Sequence, residues 1–280
     1  MKYSNRFSVL RMCQVLGVST SGYYDWKKAP ETKRMKENRE LLKVIKDIHD
    51  QSNKRYGSPK VYIELMKRGF SCGHNRVARI MRENGIKSKV IKKYRPRGKV
   101  IQISEASDNI LNRQFSQNNV DQVWATDITY IKTLNGWVYL CVFIDLCSKA
   151  VVGWSIDNHM KTELVLDALE KACMKRRPQR NLLIHSDQGT QYGSDDFRQY
   201  LKYNNFKQSM SRRGNCWDNA CVESFFKLLK VEELNDYKFN SLEEVKYIIF
   251  KYIEYFYNRK RIHSSIGYLA PLEYEKKLCA

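Results

Sequence analysis

Three strand-like runs follow one another between residues 122 and 158, and a helix and a fourth buried strand come next. The first two runs, QVWATDITYI and WVYLCVFIDLCSK, are separated by the turn signal TLNG, and AVVGWSIDN is the third. The later elements are a helix over TELVLDALEKACMKR, the strand NLLIHSD, a helix over 195–205, the short strand FKQSMS and a helix from about Trp217. This order is typical of a mixed sheet with helices on both faces, so an α/β fold is predicted.

The front of the chain carries helical patterns instead. RFSVLRMCQVLG and STSGYYDWKK indicate two short helices about a glycine-containing turn, which resemble a helix-turn-helix, although an ordinary helical hairpin gives the same pattern. A second helical unit follows and ends in HNRVARIMRENG. Its apolar face comprises Val77, Ile80 and Met81, and its other face comprises Arg76, Arg79 and Arg82. Arginines on one side of a helix suit phosphate and base contacts, but solvated arginines are the commoner outcome.

The positive charge is concentrated at this helical end. The 280 residues carry a formal charge of +20; residues 1–120 hold 27 basic and 10 acidic side chains, against 23 and 20 in the remainder. KSKVIKKYRPRGK, residues 87–99, has seven basic residues and no acidic one. The candidate backbone-contacting residues in it are Lys92, Lys93, Arg95 and Arg97. So strong an excess predicts a polyanion-binding front.

These patterns suggest five segments: a helix-turn-helix-like segment 1–35, a second helical DNA-binding unit 36–86, a basic linker 87–118, an α/β core 119–235 and a C-terminal helical extension 236–280. The eight cysteines form no C-x-x-C pair, so reduced packing thiols are expected rather than a zinc site. The longest apolar run, residues 138–144, is too short for a bilayer, and no signal core is present. These features favour a cytoplasmic protein without a membrane role.

Several acidic residues lie in strands and a helix whose apolar pattern predicts burial. Asp187 ends the run Leu182 to Ile184, and Asp127 interrupts the first strand. Burying an ionised carboxylate is costly unless it is paired or binds a metal, so each of these residues needs an explanation. Each residue alone could be a cap or a surface ion pair. Glu223 lies on the following helix, on the line that the i, i+4, i+7 rule gives for Asn219, Glu223, Lys227 and Lys230. Three carboxylates from two strands and a helix suit Mg²⁺, which prefers oxygen ligands and keeps several waters. Lys227 and Lys230 could hold a phosphate strand.

The spacing and the surrounding residues resemble a known superfamily. Thirty-five residues separate Asp187 from Glu223, and with Asp127 this pattern resembles the D,D-35-E signature of retroviral integrases and DDE transposases. The segments WATDITY, FIDLCSK, HSDQGTQY, SRRGNCWDNA-x-x-ESFFK-x-LK and YNRKRIHSSIGYLAP resemble the OrfB-type transposases of bacterial insertion sequences. GVSTSGYYDW and YGSPK extend the likeness into the helical front.

This resemblance implies a ribonuclease-H-like core in which Asp127 bridges two Mg²⁺ ions, with Mn²⁺ as a substitute, while Asp187 and Glu223 each hold one. It implies an enzyme that binds the terminal inverted repeats of its element, cleaves a DNA strand and transfers it. The expected partners are double-stranded DNA, further copies of the chain and an upstream-frame transposase subunit, because no heptad segment is present. A bacterial protein held on the nucleoid through DNA is the expected location. The zinc module of retroviral integrases is absent from the sequence.

Neighbouring residues have less specific expectations. Asp145 is predicted to hydrogen-bond structurally, His185 to be packed, and Asp218 and Asn219 to cap the Glu223 helix or to touch the active site. The basic residues expected at the DNA end are Arg212, Arg213, Lys227 and Lys230. Two alternatives are a non-catalytic helix-turn-helix regulator with a degenerate core, and a ribonuclease H or junction-resolving nuclease.

Overall fold

The structure, a computed structural model, describes residues 7–90, 107–212 and 215–279. The chain divides into two compact units, Met1–Lys87 and Ser88–Ala280. Five of the candidate DNA-binding residues lie outside the described residues: Lys92, Lys93, Arg95, Arg97 and Arg213. In the parts that are described, no helix has the length and apolar character that crossing a membrane requires.

The first unit is helical in all its described elements. They are α1 (Val9–Leu16), α2 (Thr20–Lys28), α3 (Lys33–Gln51), α4 (Ser58–Lys67) and α5 (His74–Glu83). The turn between α1 and α2 follows from the sequence, since Gly17 adopts a left-handed φ of 64° and Ser19 Oγ accepts a hydrogen bond from the Gly22 amide. The predicted helical hairpin is therefore present at the expected residues.

The buried side of this unit is formed by α3, α4 and α5. Ile45, Val61, Leu65 and Val77 are fully inaccessible to solvent. Ile80 and Met81 are also buried, so the apolar face predicted for α5 is confirmed. The arginines of α5 occupy positions between these residues and are partly or fully exposed.

The second unit is built on a five-stranded mixed sheet. The strands are β1 (Val123–Thr133), β2 (Gly136–Asp145), β3 (Val151–Asp157), β4 (Leu183–Ser186) and β5 (Lys207–Met210). Their order is β3-β2-β1-β4-β5; β1 pairs antiparallel with β2 and parallel with β4, and β4 pairs parallel with β5. The predicted mixed sheet, preceded by an all-helical region, is thus confirmed.

Helices cover both faces of the sheet, as predicted. They are α6 (Thr162–Arg176), α7 (Asp195–Tyr203), α8 (Ala220–Glu232) and α9 (Leu242–Phe250); a further helix, α10 (Pro271–Leu278), follows near the end of the chain. One buried cluster joins the sheet to α6 and α7, and a second joins it to α8 and α9. Gly153 permits the close approach of β3 to α6, because a Cβ there would lie 2.4 Å from the Ala168 carbonyl oxygen.

The end of α8 is fixed by a buried ion pair. Glu232 and Arg261 are almost inaccessible, and Arg261 donates from Nη2 at 2.7 Å and from Nε at 2.8 Å to the two carboxylate oxygens. The Tyr252 hydroxyl donates to the same carboxylate at 2.9 Å. Tyr252 belongs to the π-helix Lys251–Tyr257, which continues α9. We call Glu232, Arg261 and Tyr252 the closed end of α8.

Candidate active site

One predicted site residue, Asp127, lies on β1, and a second, Asp187, directly follows the neighbouring strand β4. The last pairs of the parallel ladder are Trp124 with Ile184 and Ala125 with His185. Continuing this register by two residues places Asp127 level with Asp187, where adjacent strands are about 4.8 Å apart. Both aspartates are half-buried. The sheet therefore brings these two carboxylates to one place.

The loop after β4 holds Asp187 in a defined conformation. Its Oδ1 accepts a hydrogen bond from the Gly189 amide at 3.0 Å. A Cβ on residue 189 would lie 3.0 Å from that oxygen and 3.1 Å from Gln191 Oε1, so the Asp187 and Gln191 side chains would have to shift by a few tenths of an ångström. The Gln188 side chain donates from Nε2 to the Ser211 carbonyl at 3.1 Å. These contacts hold the loop close to the Asp187 carboxylate.

Tyr192 connects the same loop to β1. Its hydroxyl is buried 3.1 Å from the hydroxyl of Thr126, the residue before Asp127. Burial raises the pKa of Tyr192 well above its usual value, and the carboxylates of Asp127 and Asp187 raise it further. Both carboxylates therefore lie close enough to act on one phenol, which supports their convergence.

The third carboxylate is placed by the start of α8. Glu223 lies in the first turn of this helix and is half-buried. Asn219 precedes the helix, and its Nδ2 donates to the Thr126 carbonyl at 3.0 Å. This bond ties the beginning of α8 to the residue before Asp127. Helix α8 packs on the same sheet face through Val222 and Phe225.

The three carboxylates do not form a closed ligand set. Among the described residues, no three Asp, Glu, His or Cys side chains converge closely enough to bind one ion. The donor set nevertheless fits Mg²⁺ chemically, because Mg²⁺ is usually held by one or two carboxylates, substrate phosphates and several waters rather than by a complete protein cage. We refer to Asp127, Asp187 and Glu223 as the carboxylate trio.

His185 is a packed, hydrogen-bonded residue, as predicted. Its Nε2 lies 2.9 Å from the Asp218 carbonyl and its Nδ1 lies 2.9 Å from Ser209 Oγ. A carbonyl only accepts, so Nε2 carries the proton and Nδ1 accepts from the serine hydroxyl. Burial lowers the pKa of His185, which favours this neutral form. The imidazole therefore links β4 to the segment before α8 and needs no role as a base.

Asp218 anchors that segment through its carboxylate, which is fully buried. Its oxygens accept hydrogen bonds from Arg113 Nε at 2.7 Å, from Arg212 Nε and Nη2 at 2.9 Å, and from Asn109 Nδ2 at 2.9 Å. The hydrogen-bonded Arg212 guanidinium, assisted by Arg113, holds the pKa of Asp218 well below its usual range. We call Asp218, Arg212, Arg113 and Asn109 the Asp218 clamp.

The predicted capping roles of Asp218 and Asn219 are wrong. Asn219 occupies the N-cap position of α8, but its side chain makes no capping hydrogen bond and reaches β1 instead. Asp218 bonds to the arginines of the clamp. The spacing to Glu223 suggested caps because Asp and Asn are favoured at that position, but long-range partners satisfy both side chains differently.

Asp145 has the structural role that was predicted for it. It is fully buried at the end of β2, and its oxygens accept hydrogen bonds from the Asp121 amide at 2.7 Å and from the Ser148 amide at 2.7 Å. The Ser148 hydroxyl donates a third bond at 2.9 Å. Burial raises the pKa of Asp145 despite these bonds. The carboxylate closes the β2–β3 turn.

The candidate basic residues have different surroundings. Lys227 is exposed on α8, while Lys230 is half-buried with its Nζ 5.1 Å from the centre of the Tyr130 ring. Burial lowers the pKa of Lys230, and the carboxylate of Asp127 opposes that shift. Lys230 therefore lies near the carboxylate trio. The guanidinium of Arg212 is held by the clamp, with 52% of its side chain exposed.

On α5, the three arginines also differ. Arg76 ties this helix to α3, donating to Asn38 Oδ1 at 2.8 Å and pairing with Glu37 at 3.1 Å. Arg79 lies 3.9 Å from Glu83 on the same helix, and Arg82 is exposed. Sequence periodicity could not separate these roles, because the partners of Arg76 lie on another helix.

The sheet order, with acidic residues at one level of β1 and β4 and a helix packed beside them, defines a protein of the integrase-core class. Residues 117–216 and 204–271 match integrase core domain families, and residues 36–94 match an HTH-like domain. The chain is 40% identical over 278 residues to the transposase InsF for insertion sequence IS3A of Escherichia coli, with 99% of this chain and 96% of that protein covered. It therefore belongs to the InsF family of insertion-sequence transposases, which confirms the resemblance seen in the sequence.

Other proteins are similar to parts or all of the chain. A 31 kDa protein of insertion element IS600 from Shigella sonnei is 38% identical, covering 95% of this chain and 98% of its own length. A chain of the simian T-cell lymphotropic virus intasome, solved with PP2A regulatory subunit B56 gamma, is 15% identical with a TM-score of 0.47, covering 82% of this chain and 73% of that one. The HTLV-2 integrase catalytic core domain, solved with magnesium, is 18% identical with a TM-score of 0.43, covering 56% and 97%.

Proposed function

We propose that this transposase binds the terminal inverted repeats of its insertion sequence and catalyses metal-dependent strand cleavage and strand transfer at the carboxylate trio. The observation that supports the proposal is the register of β1 and β4, because continuing it by two residues beyond the last pair, Ala125 with His185, would bring Asp127 level with Asp187. The Asn219 bond to Thr126 brings the start of the Glu223 helix to the same place. Two buried acidic residues elsewhere in the core have structural partners: Asp145 accepts hydrogen bonds from two backbone amides and a hydroxyl, and Asp218 pairs with two arginines.

Asp127, Asp187 and Glu223 would hold two Mg²⁺ ions. When bound, such ions activate an attacking oxygen and stabilise the leaving oxygen of an in-line phosphoryl displacement. The neighbouring residues of the chain hold these carboxylates in place. Gly189 and Tyr192 fix the Asp187 loop, and the start of α8 holds Glu223 against β1.

Lys230 and Lys227 would orient the DNA strand beside the trio. They lie seven and four residues after Glu223, along one side of α8. Lys230 is half-buried near Asp127, so its ammonium is placed to hold a phosphate next to the reacting bond. Lys227 is exposed one turn earlier and suits a phosphate further along the strand. Arg212 and Arg213 are proposed, from the sequence, as further contacts with the DNA end.

Recognition of the DNA ends is assigned to the helical unit and the basic segment after it. Arg79 and Arg82 are the residues of α5 best placed to contact DNA, and Arg76 would orient the helix. The basic residues Lys92, Lys93, Arg95 and Arg97 would follow the phosphate backbone, which makes affinity fall steeply with salt. Two ends must be held together, so a homo-oligomer on DNA is expected, with an upstream-frame subunit as a further partner. Binding to DNA would place the protein on the nucleoid.

An assay on oligonucleotides carrying the element's ends tests this function. Wild-type protein with Mg²⁺ should nick the end and then yield products joined to target DNA, and Mn²⁺ should substitute. Asp127→Asn and Asp187→Asn should abolish both products. Asp195→Asn is the matched control, because it makes the same replacement at an acidic residue at the start of α7. It should leave the nicked and the joined products unchanged.

The products also separate the alternatives. Binding without nicking would support a regulator with a degenerate core, and nicking without joining would support a nuclease. Family membership, together with the level placement of Asp127 and Asp187, favours the transposase. Joined products that persist in both aspartate variants would contradict the assignment of the site.

A further inference from the structure

Only one of the two polar atoms in the side chain of Asn219 has a hydrogen-bond partner among the described residues. The residue is 4% exposed, and its Nδ2 donates to the Thr126 carbonyl at 3.0 Å. A backbone carbonyl has no proton to give, so the amide nitrogen must face it and the orientation of the side chain is fixed. Its Oδ1 is buried and has no hydrogen-bond partner among the described residues. Buried acceptors are rarely left in that condition.

A second buried asparagine has a hydrogen-bond partner for each polar atom of its side chain. Asn258 is 1% exposed and also bonds the backbone of a strand. Its Nδ2 donates to the Val151 carbonyl at 2.9 Å, and its Oδ1 accepts from the Val151 amide at 2.9 Å. Asn258 is therefore a purely structural bridge. Asn219 makes half of such a bridge and retains an acceptor for a group that the described residues do not provide.

The location of Asn219 indicates what that group is. Its hydrogen-bond partner, Thr126, immediately precedes Asp127, and Glu223 follows Asn219 by four residues on the same side of α8. The asparagine thus joins the strand and the helix that carry two members of the carboxylate trio. A donor at Oδ1 in this setting would be a water molecule beside those carboxylates.

We propose that Asn219 is a positioning residue of the divalent-metal site. Its amide nitrogen fixes the separation of β1 and α8, and hence of Asp127 and Glu223, while Oδ1 accepts a hydrogen bond from an ordered water in the site. The inference rests on the proposed function, because it takes these carboxylates as metal ligands. Residues that orient metal ligands without touching the ion typically change metal affinity by roughly 10- to 100-fold when they are replaced.

Binding of Mn²⁺ alone to the full chain, measured by the loss of the free-ion electron paramagnetic resonance signal, tests the proposal without requiring activity. Asn219→Ser retains a favoured N-cap residue for α8, so folding is protected, and Asn219→Ala removes the whole amide. Both variants should raise the half-saturating Mn²⁺ concentration by roughly 10- to 100-fold. Asn258→Ala, the matched control, should lower the melting temperature and leave that concentration unchanged.

Two results would overturn the proposal, and they are distinguishable. Folded Asn219→Ser and Asn219→Ala proteins with wild-type Mn²⁺ affinity, alongside a weakened Asp127→Asn protein, would show that Asn219 is only structural. Unchanged Mn²⁺ binding in Asp127→Asn would instead remove the metal ligands assumed by the proposed function, and this inference with them. Melting curves on every variant confirm that folded protein is compared.

Discussion

The two ends of α8 are both built from charged residues, but they differ in how those charges are satisfied. At the closed end, Glu232 and Arg261 are buried together and neutralise one another. At the start, the Asp218 clamp is equally well satisfied; Glu223, one turn later, is half-buried, and Asn219 Oδ1 has no hydrogen-bond partner among the described residues. The closed end fixes the last turn of α8. The start of α8 combines a fixed anchor, the Asp218 clamp, with groups that a ligand can reach.

This difference separates stability from chemistry within a single helix. A buried carboxylate that is paired with an arginine contributes to folding, and removing one partner leaves a charge without compensation. A half-buried carboxylate that is proposed to bind a metal ion acts on the reaction instead. Substitutions at the closed end and in the clamp should therefore change melting, whereas substitutions in the carboxylate trio should change turnover.

The largest effect on stability is expected at the closed end. Arg261→Met leaves Glu232 buried without its cation, which should cost about 4 kcal/mol in the free energy of unfolding. Thermal denaturation followed by circular dichroism should show a melting temperature lower by roughly 10 °C. The double variant Glu232→Gln with Arg261→Met should recover part of the loss. A single variant that melts like wild type would contradict the role of this pair.

A smaller loss is expected in the clamp. Asp218→Asn keeps the shape of the side chain but removes the charge that Arg212 and Arg113 bind. Because both arginines keep about half of their side chains exposed, solvent compensates them in part, and the cost should be about 2 kcal/mol. Urea denaturation measures it. Asp195→Asn, at the start of α7, is the exposed control, and equal midpoints for the two variants would refute the clamp.

The smallest effect concerns pH. Burial places the pKa of His185 below its ordinary value of about 6.5 in the folded protein. Its neutral form is therefore favoured by folding, and this contribution is complete above that pH and declines as the pH falls below it. Between pH 7.5 and 5.5 the loss should be about 1 kcal/mol. His185→Gln retains a donor for the Asp218 carbonyl and should melt with a flatter pH dependence; an unchanged slope would contradict the assignment.

Much of the core could be predicted from short-range pattern. The strand runs, the TLNG turn and the apolar face of α5 lie where periodicity placed them, because local alternation reflects which side is buried. The structural role of Asp145 was also predicted; one of its partners, Ser148, lies three residues away, whereas Asp121 lies 24 residues away. The mixed sheet followed from the order of these elements.

Other features depend on contacts between distant residues. Arg113 reaches Asp218 across 105 positions and Asn219 reaches Thr126 across 93, so no local rule distinguishes these side chains from caps. The helices after residue 236 were predicted as an extension, yet Val245 and Ile249 pack in the same buried cluster as β1 and α8. Arg76 likewise differs from Arg79 only through its partners on α3.

The central claim is that the carboxylate trio carries out the chemistry, whereas the buried acidic residues with structural partners, such as Asp145, stabilise the fold. Its most direct test compares Glu223→Gln with Asp145→Asn, and with Glu233→Gln as the matched control at the far end of α8. Each protein is first assessed by its melting curve. Rates of strand cleavage and joining are then measured in Mg²⁺ and again in Mn²⁺.

Loss of a ligand removes several kcal/mol of charge stabilisation, and about 1.36 kcal/mol corresponds to a tenfold rate change. Glu223→Gln should therefore slow both steps by at least roughly 100-fold, with melting and DNA binding unchanged. Asp145→Asn should melt at a lower temperature and retain its activity when folded, and Glu233→Gln should resemble wild type. A Glu223→Gln protein that joins DNA at nearly the wild-type rate, or a well-folded Asp145→Asn protein that is equally inactive, would contradict the account.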